Sequence, residues 1–243
     1  MKRIAVLTSG GDSQGMNTAV RAVAKTAMKK GIEVYGIRRG YKGMLHDEIF
    51  KMSPLDVSGI ADKGGTILLS ARLPEFKEPE VRAEAAANLK KHGIEGLVVI
   101  GGDGSFHGAD LLYKEHGIKA IGLPGTIDND IAGTDYTIGY DTAMNIILDA
   151  ISKIKDTATS HERTYLIEVM GRHCGDLALY SAIAGGANGV LIPEIEFNID
   201  DLANAIKTRR EQGKLSDIRV VAEGVSNVYD IAAKLKEKVN TEI

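Results

Sequence analysis

Two kinds of hydrophobic pattern alternate along the chain. Short continuous apolar runs, such as residues 4–7 and 97–100, are bounded by glycines and polar residues. Between them lie longer segments in which apolar residues recur every three or four positions, such as residues 16–30 and 140–156. The first pattern is typical of strands buried on both faces, and the second of amphipathic helices. Their alternation predicts an α/β protein with mostly parallel sheets.

The same patterns predict the remaining elements. Further helices are expected over residues 53–62, 78–91, 105–115, 174–184, 199–212 and 228–238. Further strands are expected over residues 33–37, 120–123, 165–169, 189–192 and 218–222. A glycine-rich stretch gives way to a long helix at residues 134–139, and a boundary between two domains is expected there.

Candidate binding residues follow five of the predicted strands. They come directly after Leu7, Ile100, Leu123, Val169 and Ala222. Ligands of open parallel sheets bind beyond the carboxyl ends of the strands. This recurrence therefore predicts a ligand site at that edge.

Two glycine-rich turns carry the clearest chemistry. Residues 101–105 read G-G-D-G-S, where the glycines let backbone amides approach a phosphate and Asp103 suits the Mg²⁺ that accompanies it. Residues 10–12 read G-G-D and permit either the same role or a purely steric one, because glycine also makes tight strand-to-helix turns. Neither G-x-G-x-x-G nor G-x-x-x-x-G-K-[ST] occurs in the chain.

A second carboxylate-bearing segment runs from Thr126 to Asp130. If it is extended, Thr126, Asp128 and Asp130 share a face, because side chains alternate along a strand. Two neighbouring carboxylates raise the pKa of one of them, which suits a general base for a sugar hydroxyl. The alternative is an Asx-type turn that caps the next segment.

Three arginines are candidate anion ligands. Arg172 follows a strand in M-G-R and offers a forked donor set for phosphate oxygens. Arg72 and Arg163 also lie in polar or turn segments, and each arginine taken alone is equally consistent with a surface ion pair. The six histidines show no metal-ligand spacing, and nothing in the sequence indicates that Cys174 is catalytic.

Composition narrows the class of partner. The formal net charge of −3 over 243 residues argues against nucleic acid and against a membrane surface, since both favour basic proteins. A single cysteine cannot form an internal disulfide and suits a reducing compartment. No signal-peptide pattern or membrane-spanning apolar run is present, so a cytoplasmic location is expected.

The motifs in their order closely resemble those of bacterial ATP-dependent 6-phosphofructokinase. The resemblance extends along the whole chain and rests on residues 7–12, 64–66, 70–72, 101–105, 124–130, 168–172 and 184–186. It implies two similar three-layer α/β/α domains, an ATP-binding domain over 1–138 and a sugar-phosphate-binding domain over 139–243, with the active site in the cleft between them. It also implies a cytoplasmic homotetramer that acts in glycolysis. This enzyme transfers the γ-phosphate of ATP to the 1-hydroxyl of fructose 6-phosphate.

The resemblance assigns roles to individual residues. The implied ATP site, with Asp103 serving Mg²⁺, comprises Gly11, Arg72, Leu73, Gly102, Asp103, Gly104 and Ser105. Asp128 is the implied base, and the implied ligands of the transferring phosphoryl group are Thr126, Arg72 and Arg172. The implied sugar-phosphate site comprises Thr126, Ile127, Asp128, Asp130, Arg163, Met170, Gly171, Arg172 and Glu223, with Arg163 reaching a neighbouring subunit. The implied site for the effectors ADP and phosphoenolpyruvate comprises Arg21, Lys25, Lys155, Gly186 and Lys214.

Departures from the family pattern refine these expectations. Gly104 and Gly125 favour ATP, because pyrophosphate-dependent relatives carry Asp and Lys there. Pro54, Asn188 and Gln212 replace charged residues of the effector site, so a weakened or altered response is expected, with an intact response as the alternative. The sequence ends before the segment G-H-x-Q-R-G-G, which supplies donors to the sugar 6-phosphate. We therefore expect little or no activity from residues 1–243 alone.

Two other functions remain open from the sequence. A kinase of the NAD or lipid type shares G-G-D-G, although residues 124–130 and 170–172 argue against it. A non-catalytic nucleotide-sensing form of the same family would be expected to lack a proton acceptor, whereas Asp128 is present.

Overall fold

The chain divides into two units, each with its own sheet. The computed structural model describes residues 1–239 and 241–243. Unit 1 comprises Met1–Thr126 and Asp130–Gly139, and unit 2 comprises Ile127–Asn129 and Tyr140–Ile243.

Unit 1 is built on a six-stranded sheet. Its strands are β1 (Arg3–Thr8), β2 (Glu33–Ile37), β3 (Ile49–Lys51), β4 (Gly96–Gly101), β5 (Lys119–Thr126) and β6 (Ile138–Gly139). Its helices are α1 (Met16–Lys29), α2 (Gly40–Leu45), α3 (Pro79–Lys91) and α4 (Asp103–His116), with a 3₁₀ turn at Pro74–Lys77. The strand order is β3-β2-β1-β4-β5-β6, and only the β2–β3 pair is antiparallel.

Alternating side chains of β1 place two apolar layers on opposite faces of this sheet. Ala5 and Leu7 join the cluster formed with α2, α3 and α4, whereas Ile4 and Val6 join the cluster formed with α1. Side chains of a strand point alternately to its two faces, so continuous apolar sequence is what a sheet covered on both sides requires. Unit 1 is therefore a three-layer α/β/α structure.

The strand order of unit 1 reverses between β1 and β4. From β1 the chain continues outward to β2 and β3, while β4, β5 and β6 extend the sheet on the other side. Thr8 pairs with Ile100 at this point, and the amide of Ser9 donates to the carbonyl of Ile100 at 3.0 Å. Such a reversal leaves a crevice beyond the carboxyl ends of the two strands, where open α/β sheets bind ligands.

Unit 2 has the same layered construction on a smaller sheet. Its strands are β7 (Thr164–Val169), β8 (Gly189–Leu191) and β9 (Asp217–Ala222), all parallel in the order β7-β9-β8. Its helices are α5 (Tyr140–His161), α6 (Asp176–Gly185), α7 (Ile199–Glu211) and α8 (Val228–Lys238). Val221 packs into the cluster of α7 and α8, while Val220 and Ala222 pack into the cluster of α5 and α6.

The predicted α/β class is confirmed, and several element predictions are corrected. The helix predicted over residues 53–62 is wrong: this segment forms turns, in which the amides of Asp56 and Ser58 donate three residues back, to the carbonyls of Ser53 and Leu55. The left-handed φ of +62° at Gly59 also stops a helix from continuing to residue 62. Helix α4 begins at Asp103 rather than Ser105, and β5 extends to Thr126. The short elements α2, β3, β6 and the 3₁₀ turn have no predicted counterpart. Within the described part of the chain, no helix is long and apolar enough to span a bilayer.

Candidate active site

The beginning of α4 presents open amides at the carboxyl edge of the sheet of unit 1. The amides of Ser105 and Phe106 both donate to the carbonyl of Gly102, at 3.0 and 3.2 Å. Those of Asp103 and Gly104 have no acceptor among the described residues, and no side chain caps the helix. Free amides and the positive end of a 14-residue helix together favour an anion.

Two glycines beside these amides are not required by the fold. A Cβ built on Gly11 or Gly104 would meet nothing within 4 Å, and neither residue has a positive φ. Gly101 differs, because a Cβ there would lie 2.5 Å from the carbonyl oxygen of Ser9. It would push apart the turns that follow β1 and β4. Gly11 and Gly104 thus leave bare backbone facing open space, as the approach of a phosphate requires.

Asp103 is the candidate metal ligand. It is exposed in the first turn of α4, next to the open amides. No group of three or more His, Cys, Asp or Glu side chains with metal-site geometry occurs in the described residues. A single carboxylate fits Mg²⁺ that arrives with a nucleotide, because such Mg²⁺ takes its other ligands from phosphates and water.

A loop carrying Arg72 is tied to α1 by a residue that sequence reasoning missed. Asn17 is 1% exposed; its Nδ2 donates to the carbonyls of Lys63 and Gly64 at 2.9 and 3.2 Å, and its Oδ1 accepts from the amide of Ile67 at 2.8 Å. The only sequence signal was a polar residue on the apolar face of α1. Asn17 therefore fixes the course of the loop.

The same loop is also tied to the end of β1 and the turn that follows it. The hydroxyl of Thr8 donates to the carbonyl of Leu69 at 2.9 Å, and that of Ser70 donates to the carbonyl of Gly10. Arg72 follows, exposed and with no ion pair or hydrogen bond to any described residue. Its guanidinium is therefore available to an anion.

Thr126 ends β5 beside the first turn of α4. A Cβ on Gly102 would lie 3.7 Å from the Cβ of Thr126, and the carbonyl of Thr126 accepts from the hydroxyl of Thr137 at 2.7 Å. The segment from Thr126 to Asp130 is not extended, so the shared face that an extended segment would give Thr126, Asp128 and Asp130 does not form. The strand stops at Thr126 and Asn129 has a left-handed φ of +55°, so that Asp128 is buried whereas Asp130 is exposed.

In unit 2, Asp128 forms an ion pair with Arg172. The Asp128 side chain is 10% exposed, and its Oδ2 lies 3.5 Å from Nε of Arg172. Arg172 is 58% exposed and has a left-handed φ of +51°. Such a backbone conformation persists only where surrounding contacts hold it.

Glu223 supplies those contacts. Its Oε1 accepts from the amides of Gly171 and Arg172 at 3.1 and 2.8 Å, while its own amide donates to the carbonyl of Val169 at 2.9 Å. One carboxylate oxygen therefore holds the turn after β7. Met170, in the same turn, is 60% exposed.

Unit 2 does not bring Arg163 to this cluster. Arg163 directly precedes β7, whereas Met170 and Arg172 follow it, so a strand of roughly 20 Å separates them. A hydrogen bond to Tyr165 and the charge of Glu242, with which Arg163 forms an ion pair, raise the pKa of its guanidinium. Ile127, the remaining predicted sugar contact, packs against Tyr140 and Leu177.

The predicted effector residues lie on several elements. In unit 2, Nζ of Lys155 donates to the carbonyl of Gly186 at 3.3 Å, and Lys214 is exposed after α7. In unit 1, Arg21 and Lys25 lie one turn apart on α1. The side chain of Asn188 accepts from the amide of Ile218 at 2.9 Å, so this departure from the family pattern has a structural role.

Comparison with known proteins places the chain in a family. The family described as phosphofructokinase matches residues 3–243. The chain belongs to the phosphofructokinase family. It is 66% identical over 242 residues to an ATP-dependent 6-phosphofructokinase of Fusobacterium nucleatum and 58% identical over 240 residues to one of Bacillus cytotoxicus. These alignments cover 100% and 99% of this chain and 75% of each relative.

Solved structures of the family share the fold. A phosphofructokinase structure from Saccharomyces cerevisiae matches with a TM-score of 0.90 at 39% identity, covering all of this chain and 37% of the yeast chain. A pyrophosphate-dependent phosphofructokinase from Marinobacter aquaeolei matches with a TM-score of 0.83 at 25% identity, covering all of this chain and 67% of the other. The chain thus spans little more than a third of the yeast protein.

Proposed function

We propose that this chain carries the ATP-dependent 6-phosphofructokinase reaction, in which the γ-phosphate of ATP passes to the 1-hydroxyl of fructose 6-phosphate. The names of the relatives at 66% and 58% identity support this function. The observation that carries it is the bare backbone of Gly11 and Gly104 beside the open amides of α4. The rival kinases of the NAD or lipid type gain no support from these comparisons.

ATP is the phosphoryl donor in this proposal. The triphosphate binds at the open amides of Asp103 and Gly104, Asp103 holds Mg²⁺, and Arg72 contacts the phosphates, with Gly11, Leu73, Gly102 and Ser105 completing the site. Mg²⁺ neutralises charge on the phosphates when it is bound. Gly125 supports ATP over pyrophosphate, because the pyrophosphate-dependent relatives of the resemblance carry Lys there. A Cβ at this position would lie 2.9 Å from Ile100, so a larger residue requires a local shift.

Asp128 is the proposed base. Ionised, it accepts the proton of the 1-hydroxyl as that oxygen attacks the γ-phosphorus and the bond from phosphorus to the bridging oxygen of ADP breaks. The 3.5 Å separation from Arg172 leaves most of the exposed guanidinium free, so Arg172 is the proposed ligand of the transferring group. Thr126 is proposed as a further ligand of that group. Met170, Gly171, Glu223, Ile127 and Asp130 are proposed to orient the sugar.

Assembly and regulation are part of the same proposal. A homotetramer would let Arg163, which lies away from Asp128 within unit 2, serve the sugar phosphate of a neighbouring subunit. ADP and phosphoenolpyruvate are the proposed effectors at Arg21, Lys25, Lys155, Gly186 and Lys214, with an altered response because of Pro54, Asn188 and Gln212. Light scattering measures the oligomeric state, and titration of each effector into the assay measures the response.

The donor preference tests the function. Formation of fructose 1,6-bisphosphate is followed with ATP or pyrophosphate as donor, using the protein as its gene encodes it. We expect turnover with MgATP and at least 100-fold less with pyrophosphate. Asp103→Asn should raise the Mg²⁺ concentration needed for half-maximal rate, whereas Asp110→Asn, an exposed carboxylate on the same helix, should not. Equal rates with pyrophosphate would contradict the proposal.

A further inference from the structure

The first turn of α4 rests on a pair of stacked aromatic rings. The hydroxyl of Tyr41, on α2, donates to the carbonyl of Ser105 at 2.5 Å. The Tyr41 ring stacks on Phe76 with centroids 4.2 Å apart and an angle of 22°. A Cβ on Gly108 would lie 3.1 Å from the Tyr41 ring and 3.2 Å from Phe76. The absence of a side chain at Gly108 therefore lets α4 lie directly on both rings.

A buried arginine holds the second ring in place. Arg82, which is 3% exposed, donates from Nη1 to the carbonyl of Phe76 at 2.7 Å. Its Nε and Nη2 donate to the two carboxylate oxygens of Glu115 at 2.6 and 2.5 Å. The hydrogen bonds from Arg82 lower the pKa of Glu115, so the pair remains ionised near neutrality.

These contacts join the two ends of α4. Ser105 lies in its first turn and Glu115 in its last, and Tyr41, Phe76 and Arg82 connect them from one side of the helix. We call the set of Tyr41, Phe76, Arg82 and Glu115 the brace. A helix held at both ends cannot shift along its axis without breaking a buried hydrogen bond, which costs about 1–3 kcal/mol where a partner is left unsatisfied.

We propose that Tyr41 is a positioning residue for the nucleotide, and that it acts by holding the Ser105 carbonyl and hence the open amides of Asp103 and Gly104. This inference rests on the proposed function, because it assumes that those amides bind the phosphates of ATP. Phosphoryl transfer depends on alignment, so a small displacement of the amides weakens both binding and rate. Burial raises the pKa of the Tyr41 phenol, which therefore stays protonated and able to donate at neutral pH.

The test removes one hydroxyl and leaves the ring. Tyr41→Phe keeps the stack on Phe76 but loses the bond to Ser105. Tyr35→Phe is the matched control, because Tyr35 packs against the same apolar cluster from β2 and its hydroxyl has no hydrogen bond to a described residue. MgATP affinity is measured by calorimetry, and steady-state kinetics separate KM for ATP, KM for fructose 6-phosphate and kcat.

We expect Tyr41→Phe to weaken MgATP binding and raise KM for ATP about 3- to 10-fold, with KM for fructose 6-phosphate unchanged. Glu115→Gln, which keeps one acceptor for Arg82, should give a smaller loss in the same direction, and Tyr35→Phe none. Unchanged ATP affinity in Tyr41→Phe, or an equal rise in both KM values, would overturn the positioning role while leaving the proposed function intact. Failure of the unaltered protein to bind MgATP would overturn both.

Discussion

Replacing Asn17 by Ala should loosen the loop that carries Arg72 and weaken nucleotide binding. The substitution removes three hydrogen bonds, of 2.9, 3.2 and 2.8 Å, from a side chain that is 1% exposed. Each contributes about 1 kcal/mol net, so we expect a loss of roughly 3 kcal/mol in the free energy of unfolding. The carbonyls of Lys63 and Gly64 and the amide of Ile67 would lose their partner on α1, so the loop would be held less firmly.

The effect on affinity follows from Arg72. A hydrogen bond to a charged group contributes about 1.5–3 kcal/mol, and 1.4 kcal/mol corresponds to a factor of ten in Kd. Partial loss of the Arg72 contact should therefore raise Kd for MgATP by roughly 5- to 50-fold. Calorimetric titration gives Kd, and urea denaturation at the same pH gives the free energy of unfolding.

Asn198→Ala provides the control. Asn198 caps α7 in unit 2, where its Oδ1 accepts from the amide of Asp200 at 2.7 Å. We expect a loss of about 1 kcal/mol in stability with Kd for MgATP unchanged. Unaltered MgATP affinity in Asn17→Ala, together with the expected loss of stability, would contradict a role of Asn17 in positioning Arg72.

Two further predictions follow from the same structure. Gly104→Asp should fold with unaltered stability, because a Cβ there meets nothing within 4 Å. Its carboxylate should repel the phosphates, so it should bind MgATP at least tenfold more weakly than Gly104→Asn, and equal affinities would show that charge at this position is unimportant. Burial raises the pKa of Tyr140 above the value near 10 of an unfolded tyrosine, so the neutral phenol contributes its full stability below pH 10 and loses it as pH rises through the folded pKa. The unfolding free energy, measured by urea denaturation, should therefore fall less between about pH 10 and 11.5 in Tyr140→Phe than in the unaltered protein.

The fold class and the positions of the glycine-rich turns after the strands could be predicted because both depend on local sequence. A continuous apolar run such as that of β4 indicates a strand covered on both faces, and glycines after it permit a ligand to approach. The short elements α2 and β3 could not be predicted in this way. Their six and three residues are too few to establish a period.

Contacts distant in sequence explain the other omissions. Asn17 acts through residues about 50 positions away, and Tyr41 through Ser105, 64 positions away. At Asn129 the sequence left an extended segment and a turn open; the left-handed φ ends the alternation, and Asp128 is buried whereas Asp130 is exposed. Hydrophobic periodicity carries no information about hydrogen bonds between distant residues or about a single left-handed backbone angle.

The turnover of Asp128→Asn shows whether Asp128 is the base of the reaction. Asn has nearly the same shape as Asp but cannot accept a proton from the sugar hydroxyl, and general base catalysis typically contributes 10²–10⁴-fold. We predict that kcat for fructose 1,6-bisphosphate formation falls by roughly that factor while Kd for MgATP changes less than threefold, with Asp201→Asn on α7 as the neutral control. A kcat within tenfold of the unaltered enzyme would contradict the assignment of Asp128 as the base.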